Sequence, residues 1–328
     1  KGKIQTSLLE IADNSWKISF YHENYFSKTI SFDSLVNLDF EVILSSNANS
    51  LEETVVSASR IAEKKKDVIQ KIRVIQSLEI QNQNQSSMAD LIDNSGNVFV
   101  QKSQLGGGSP IIRGFETNKV LMVVDGVRMN NAIYRGGHLQ NIITLDNSIM
   151  DRVEVVFGPG SVIYGSDAIG GVMTFKTKDP VLSRKDKVMV IGDAYTRYFS
   201  AANGFSSNAH VSVGNKKIGS LTSFTYSKFG DLRQGSKRSD ITKGFGERNW
   251  YVSSLNGMDT MLNNSNPNMQ IGSGYEQYDM LQKFIYKPNE FVLHKVNLQL
   301  SNSGNVDRYD RLTQLENGQA KYAQWYYG

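Results

Sequence analysis

Between residues 186 and 328 apolar and polar side chains alternate in strand-length runs. Ala209, Val211 and Val213 alternate with Asn208, His210 and Ser212, and Phe224 and Tyr226 with Thr225 and Ser227. Val292, Val296, Leu298 and Leu300 alternate with Lys295, Asn297 and Gln299. Strand side chains point to opposite faces in turn, so each run has one apolar and one polar face. No run of about eighteen apolar residues offers a membrane-spanning helix, and the best apolar run, Val120–Val124, ends at Asp125–Gly126. If this chain enters a membrane it does so as a barrel, apolar outside and polar towards the lumen. The pattern predicts roughly six strands, joined by one long polar loop near 230–272, where a large barrel has about twenty-two. Six strands cannot close such a barrel, so the rest of the wall is expected from a longer chain or from a second one.

Composition narrows the function. The 328 residues suggest two or three units, and 39% hydrophobic with 21% charged residues describes an ordered chain. A net charge of +4 is too small and too dispersed to argue for nucleic acid. The absence of cysteine removes disulfides, thiolate metal sites, cysteine nucleophiles and a lipid-anchoring cysteine, leaving four histidines as imidazole ligands. Asp125 and Asp151 have no candidate base beside them, and no Ser-His-Asp or metal-ligand spacing occurs. An enzyme is not expected.

The stretches before the dyads differ in period. Residues 1–49 alternate: Trp16, Ile18 and Phe20 oppose Lys17, Ser19 and Tyr21, and Leu38, Phe40, Val42 and Leu44 oppose Asp39 and Glu41. These are half-buried antiparallel strands, too few for a sandwich of their own. Residues 50–67 form a linker around Glu53, Thr54, Val55, Val56, Ser57 and Ala58, an extended β-branched run suited to adding itself to another protein's sheet edge. Residues 68–180 mix short elements. Ser86 or Ser87 caps a helix on which Met88, Leu91 and Ile92 share a face. Asn97–Lys102, Ile111–Gly114, Lys119–Asp125 and Arg152–Phe157 read as strands, broken by glycines into an α+β unit with long loops.

The densest signal runs from Asp151 to Val172, DRVEVVFGPGSVIYGSDAIGGV. It compresses an alternating strand, a Gly-Pro turn, a one-turn helix and a Gly-Gly entry to another strand. Arg152 and Glu154 share one side of the first strand while Val153, Val155 and Phe157 take the other. Two charges on a strand face need partners if that face is buried. The glycine runs are not nucleotide loops. Gly106–Gly108 is followed by a strand with no Lys-Ser/Thr, and Gly158-Pro159-Gly160 has the wrong spacing and a blocked donor.

IRGF at 112–115, VDGVR at 124–128 and the Asp151–Val172 segment, in this order, resemble the plug domain of TonB-dependent outer-membrane transporters. The resemblance implies an N-terminal remnant of a carboxypeptidase-regulatory-like β-sandwich (1–49), a TonB box and linker (50–67), an α+β plug domain (68–180) and the first strands of a transmembrane antiparallel β-barrel (181–328). It implies an outer-membrane location in a Gram-negative bacterium of Bacteroidota type, with the N-terminal part periplasmic. Glu53, Thr54, Val55, Val56, Ser57 and Ala58 would pair with TonB, energised by ExbB/ExbD. Arg113, Arg152 and Glu154 would meet the barrel wall.

Tyr134-Arg135-Gly-Gly-His138-Leu, in a loop before the DRVEVV strand, is similar to the haem and haemoglobin receptor group, as are 305–314 and 322–328. That likeness makes His138, with Tyr134 and Arg135, the substrate site, His138 ligating haem iron through neutral imidazole. Haem is then the cargo, taken as such or from a haem protein, and not a resident cofactor. A ferric siderophore, cobalamin or an oligosaccharide stays open as cargo, as do a surface lipoprotein partner and a non-transporting adhesion or assembly role. Of the other histidines, His294 is expected at the lipid interface, His210 towards the lumen and His22 away from any substrate path.

Overall fold

A computed structural model describes residues 17–22, 25–37, 42, 54–57, 63–102, 105–116, 119–129, 142–183 and 187–327. They divide into two units, Lys1–Val56 with Ala62–Ile69, and Ser57–Ile61 with Gln70–Gly328. In the first, strands β1 (Lys17–His22) and β2 (Tyr25–Ser31) pair antiparallel with Ile18 opposite Ile30. Helix α1 (Phe32–Asn37) follows and buries Phe32 and Leu35; the backbone N–H of Ser34 reaches the Ser31 hydroxyl, 3.3 Å away, at its start. The further strand expected over Leu38–Leu44 lies outside the described residues, Val42 excepted. A short pair joins β3 (Thr54–Val55) to β4 (Glu63–Lys64).

The second unit opens with an α+β layer. Strand β5 (Lys71–Gln76) leads into helices α2 (Ser77–Gln83) and α3 (Met88–Asn94). Ser87 caps α3 by accepting from the Asp90 N–H, and Met88, Leu91 and Ile92 are buried on one face, as their spacing predicts. A hairpin of β6 (Phe99–Gln101) and β7 (Ser109–Ile111) follows. The expected strand to Gly114 ends early, because Arg113 and Gly114 both take positive φ and fold Ile112 back on Phe115. Strands β8 (Val120–Val124), β9 (Val127–Arg128), β10 (Met150–Phe157) and β11 (Gly171–Thr177) complete a sheet of order β5-β10-β11-β8-β9, with the one-turn helix α4 (Ser161–Tyr164) between the last two. Only the β11–β8 pair is parallel. Val153, Val155, Met173 and Phe175 pack with Ile75, Leu91 and Ile92 into one fully buried cluster.

The dyad strands form the expected second layer, an open antiparallel sheet of five long strands, described here as the wall. It comprises β12 (Met189–Phe199), β13 (Gly204–Gly214) and β14 (Ile218–Phe229), then β19 (Tyr275–Tyr286) and β20 (His294–Ser303). Polar residues point at the α+β layer: Asn208, Ser223, Thr225, Gln277, Asp279 and Lys283 are buried. Apolar residues point away and are exposed, Phe224, Met280, Leu298 and Leu300 among them. Leu221 and Leu281 are inward exceptions and join the buried cluster of the α+β layer.

Short turns close the β13–β14 and β19–β20 pairs at the end where the α+β layer hands over to β12. The stretches 230–274 and 304–327, the outer loops of this sheet, rise from the opposite end. The predicted polar loop is built structure. Strands β15 (Leu232–Arg233) and β18 (Met269–Gln270) pair at its base, and β16 (Trp250–Leu255) and β17 (Met258–Asn263) make a hairpin above. After β20 come β21 (Val306–Asp307) and the short helix α5 (Tyr309–Leu312).

The Gly170–Gly171 pair is explained by close approach. A Cβ on Gly171 would lie 2.7 Å from the carbonyl oxygen of Val156, and one on Gly170 2.3 Å from the Phe115 Cβ. Gly171→Ala should therefore force β11 off β10, at about 1–3 kcal/mol for overpacking, read as a lower urea midpoint. Gly235→Ala, where an added Cβ meets nothing within 4 Å, is the control and should leave the midpoint unchanged.

Candidate functional site

The α+β layer and the wall are held together by buried polar contacts at two heights along β19. Towards the short-turn end lies the ammonium of Lys283, whose side chain is 2% exposed. It sits 3.1 Å from Asp125 Oδ2 and 3.2 Å from Asp179 Oδ1, and donates to Thr177 Oγ1 at 2.5 Å. Asp125 occupies the tip of the β8–β9 hairpin, where Asp125 and Gly126 both have positive φ, the geometry favoured by an Asp-Gly turn. That geometry presents its carboxylate to the Thr177 N–H (3.0 Å), the Thr177 hydroxyl (2.6 Å) and the amide of Asn297 on β20. Asp179, in the segment leaving β11, also takes Lys295 of β20 at 2.6 Å. Burial alone would raise the Asp179 carboxyl, but the hydrogen bond from Lys295 and the charges of Lys283 and Lys295 hold it below the ordinary carboxylate value.

Nearer the outer loops, the turn at 142–149 makes the second set. Asp146 caps that turn through the Ser148 N–H at 2.8 Å and accepts from Thr225 Oγ1 of β14 at 2.5 Å. Gln277 of β19 donates to the Ile143 carbonyl at 2.9 Å.

A third contact lies within the α+β layer. Glu154, on the central strand β10, is 1% exposed. One carboxylate oxygen accepts from Arg152 Nε at 2.7 Å and the other from the backbone N–H of Ser57 at 2.9 Å. Ser57 is itself buried. A buried carboxylate with both oxygens engaged by charge-assisted bonds is a firm anchor, so the segment after β3 is clamped to the middle of the sheet.

Comparison with known proteins names this layer. Residues 64–172 match the family described as TonB-dependent Receptor Plug Domain. The α+β layer is thus similar to a TonB-dependent receptor plug domain. A protein named vitamin B12 transporter BtuB from Vibrio vulnificus (strain CMCP6) is 30% identical over 83% of the chain and 37% of its own length. A hemin receptor of Yersinia pestis is 26% identical over 66% of the chain and 32% of its own length. The chain thus spans about a third of these relatives. In fold, plug and wall together resemble the copper transporter OprC (TM-score 0.52, 15% identity, 71% of this chain and 30% of that one). They also resemble the pyoverdine outer membrane receptor FpvA from Pseudomonas aeruginosa PAO1 (TM-score 0.50, 15% identity, 80% and 32%).

The residues singled out in the sequence fall as follows. Thr54 and Val55 form β3, Ser57 meets Glu154, and Glu53 and Ala58 lie outside the described residues. Arg152 and Glu154 pair with each other on the plug, and exposed Arg113 lies 5.9 Å over the Phe157 ring. The described wall strands meet the plug at Asp125, Ile143, Asp146, Thr177 and Asp179. Tyr134, Arg135 and His138 lie outside the described residues, in the segment that runs directly into the anchored turn at 142–149. His210 points inward, 3.4 Å from Asn208 Oδ1, and His294 is on the outer face, stacked on Tyr286. Among the described residues no cluster of three metal-ligating groups occurs.

Two outcomes test this geometry. Glu154→Ala frees the Ser57 N–H, whose exchange should quicken at least tenfold, while Lys283→Met should leave it unchanged and speed exchange in the β8–β9 hairpin instead. Equal effects of both variants at Ser57 would mean that the clamp and the wall contacts are one unit. The second outcome concerns pH. A seated Asp179 binds a proton less readily than an unseated one, so its contribution is complete above about pH 4 and is lost as pH falls through the lowered value. Protease cleavage of the 178–188 segment should accordingly rise only below about pH 4, and an onset near neutrality would contradict the assignment.

Proposed function

We propose that this chain is the plug-bearing part of an outer-membrane transporter that takes up a metal macrocycle, haem in the first instance, with energy supplied through TonB. The observation that carries the reading is the clamp between Ser57 and Glu154. It ties a segment able to pair as a strand with an external protein to the central strand of a plug seated in a polar wall. A pull on that segment is delivered to β10, and through it to a layer held against the wall by a few polar contacts.

Haem is favoured by the Gly-His-Leu loop with His138, flanked by Tyr134 and Arg135, and by the likeness to a protein named as a hemin receptor. Cobalamin is the second reading, because the relative with 30% identity is named as a vitamin B12 transporter. Both are metal-centred rings that need an enclosed route across the outer membrane. ExbB/ExbD would energise TonB, and the likeness of residues 1–49 to a periplasmic sandwich favours a Bacteroidota-type receptor.

The test uses the intact receptor in detergent. Added haem should give a shifted Soret band that His138→Ala abolishes, and deletion of Glu53–Ala58 should leave the band in place while stopping uptake in cells. Absence of a band together with tight cobalamin binding would replace haem by cobalamin. Uptake unaffected by the deletion would overturn energised transport altogether.

A further inference from the structure

A buried guanidinium without a counter-charge stands in the outer loops. Arg248 is 5% exposed, and its Nε has no hydrogen-bond partner. Among the described residues no carboxylate lies within ion-pair distance of it. Its Nη2 donates to the Leu312 carbonyl, its guanidinium carbon lies 4.0 Å from the Trp250 ring centre, and the Tyr309 ring is 5.5 Å away. The backbone is pinned on both sides. The Arg248 N–H donates to the Pro267 carbonyl at 2.7 Å, and its carbonyl accepts from Asn264 at 2.7 Å. The side chain is thus presented in one orientation, across the gap between the 230–274 and 304–327 loops.

Arg248 lines a cavity of about 250 Å³ with Trp250, Tyr309, Asn249, Gln270 and Thr313. Glu247 also borders it, but its carboxylate is taken by Arg238 at 2.8 Å. Burying a cation is costly unless an opposite charge or full hydrogen bonding compensates. Ring faces offset part of that cost, and one carbonyl offsets a little more. What the site lacks is an anion. What it offers beside the cation is two aromatic faces and three neutral hydrogen-bonding side chains.

We propose that this cavity is a subsite for an anionic oxygen group carried on a flat conjugated ring, a carboxylate or a catecholate, with Arg248 as the charge partner and Trp250 and Tyr309 as the stacking faces. The volume is below the roughly 300–1,000 Å³ of a whole drug-sized ligand site, so the cavity holds one acidic arm or ring of a larger cargo. The inference deepens the uptake reading by naming the cargo's chemistry, and rests on it only in taking the outer loops as the cargo-facing end. Haem carries such carboxylates. A ferric tris-catecholate carries the alternative group.

The experiment follows tryptophan fluorescence of the intact receptor in detergent during titration with iron protoporphyrin IX, with its dimethyl ester, and with a ferric tris-catecholate. The anionic probe that binds should bind at least tenfold more weakly to Arg248→Gln and recover most of that loss in Arg248→Lys, while the neutral diester should not distinguish the three proteins. Dependence on Arg248 for the catecholate alone would keep the subsite and remove haem as cargo. Equal binding of the anionic probes to wild type and Arg248→Gln, or no binding of either to wild type, would overturn the proposal. If Arg248→Gln does not fold, Trp250→Leu decides: several-fold weaker binding supports the stacked subsite, and unchanged binding overturns it.

Discussion

The ammonium of Lys283 fixes where the plug can sit. It is sealed between plug and wall, where a charge without partners is costly, and its carboxylate partners Asp125 and Asp179 both belong to the plug side. Sliding the plug along β19 by one strand step would part the buried ammonium from both carboxylates. An apolar contact such as that of Leu221 and Leu281 with the plug core changes gradually with position and cannot enforce a register. The lysine supplies specificity of seating, and the apolar cluster supplies the adhesion. A buried ion pair is weak as a stabiliser and strong as a locator, which suits a part that must be held in one place and also be movable.

The contacts are arranged by height. Lys283 and Lys295 hold the exit of the plug near the short-turn end, while Thr225 and Gln277 hold the turn at 142–149 nearer the outer loops. Strand β10 starts at Met150, opposite Thr177, and is paired on both sides by β5 and β11. The Ser57 clamp attaches to that central strand and not to an edge. Force entering at an edge strand opens hydrogen bonds one after another, whereas force entering at the centre loads two ladders together. A pull through Ser57 therefore reaches both ladders through the Glu154 bond.

How much of this was legible depended on the range of the interaction. The wall strands could be read because the period-2 pattern is local and repeated, and the α3 cap because Ser87 and Met88, Leu91 and Ile92 are adjacent in sequence. Asp125–Gly126 could be read as the end of an apolar run, but neither the hairpin it turns nor its use could. The partner of Asp125 is a lysine on a distant strand, which in the sequence is only one more polar residue of the dyad. Arg152 and Glu154 could be seen to share a face, yet nothing in their spacing points to the backbone N–H of Ser57, a group that every residue but proline carries. The stretch near 230–272 read as a loop because its strands are short and broken at Asn256–Gly257, where both residues take positive φ. Helix α1, a single short run beside strands, offered too few turns for a period to emerge.

Two buried cations then stand in contrast. Lys283 is compensated by two carboxylates and a threonine that the chain itself supplies, so its site is complete and its role is internal. Arg248 is equally well buried and has ring faces and one carbonyl, but no anion among the described residues. Glu247 is adjacent to Arg248 in sequence and pairs with Arg238 instead. A fold that spends its nearest carboxylate elsewhere leaves the cost of the buried guanidinium standing, to be offset when an anion arrives from outside. That difference in compensation, more than the aromatic lining, separates a structural cation from a ligand-binding one in this chain.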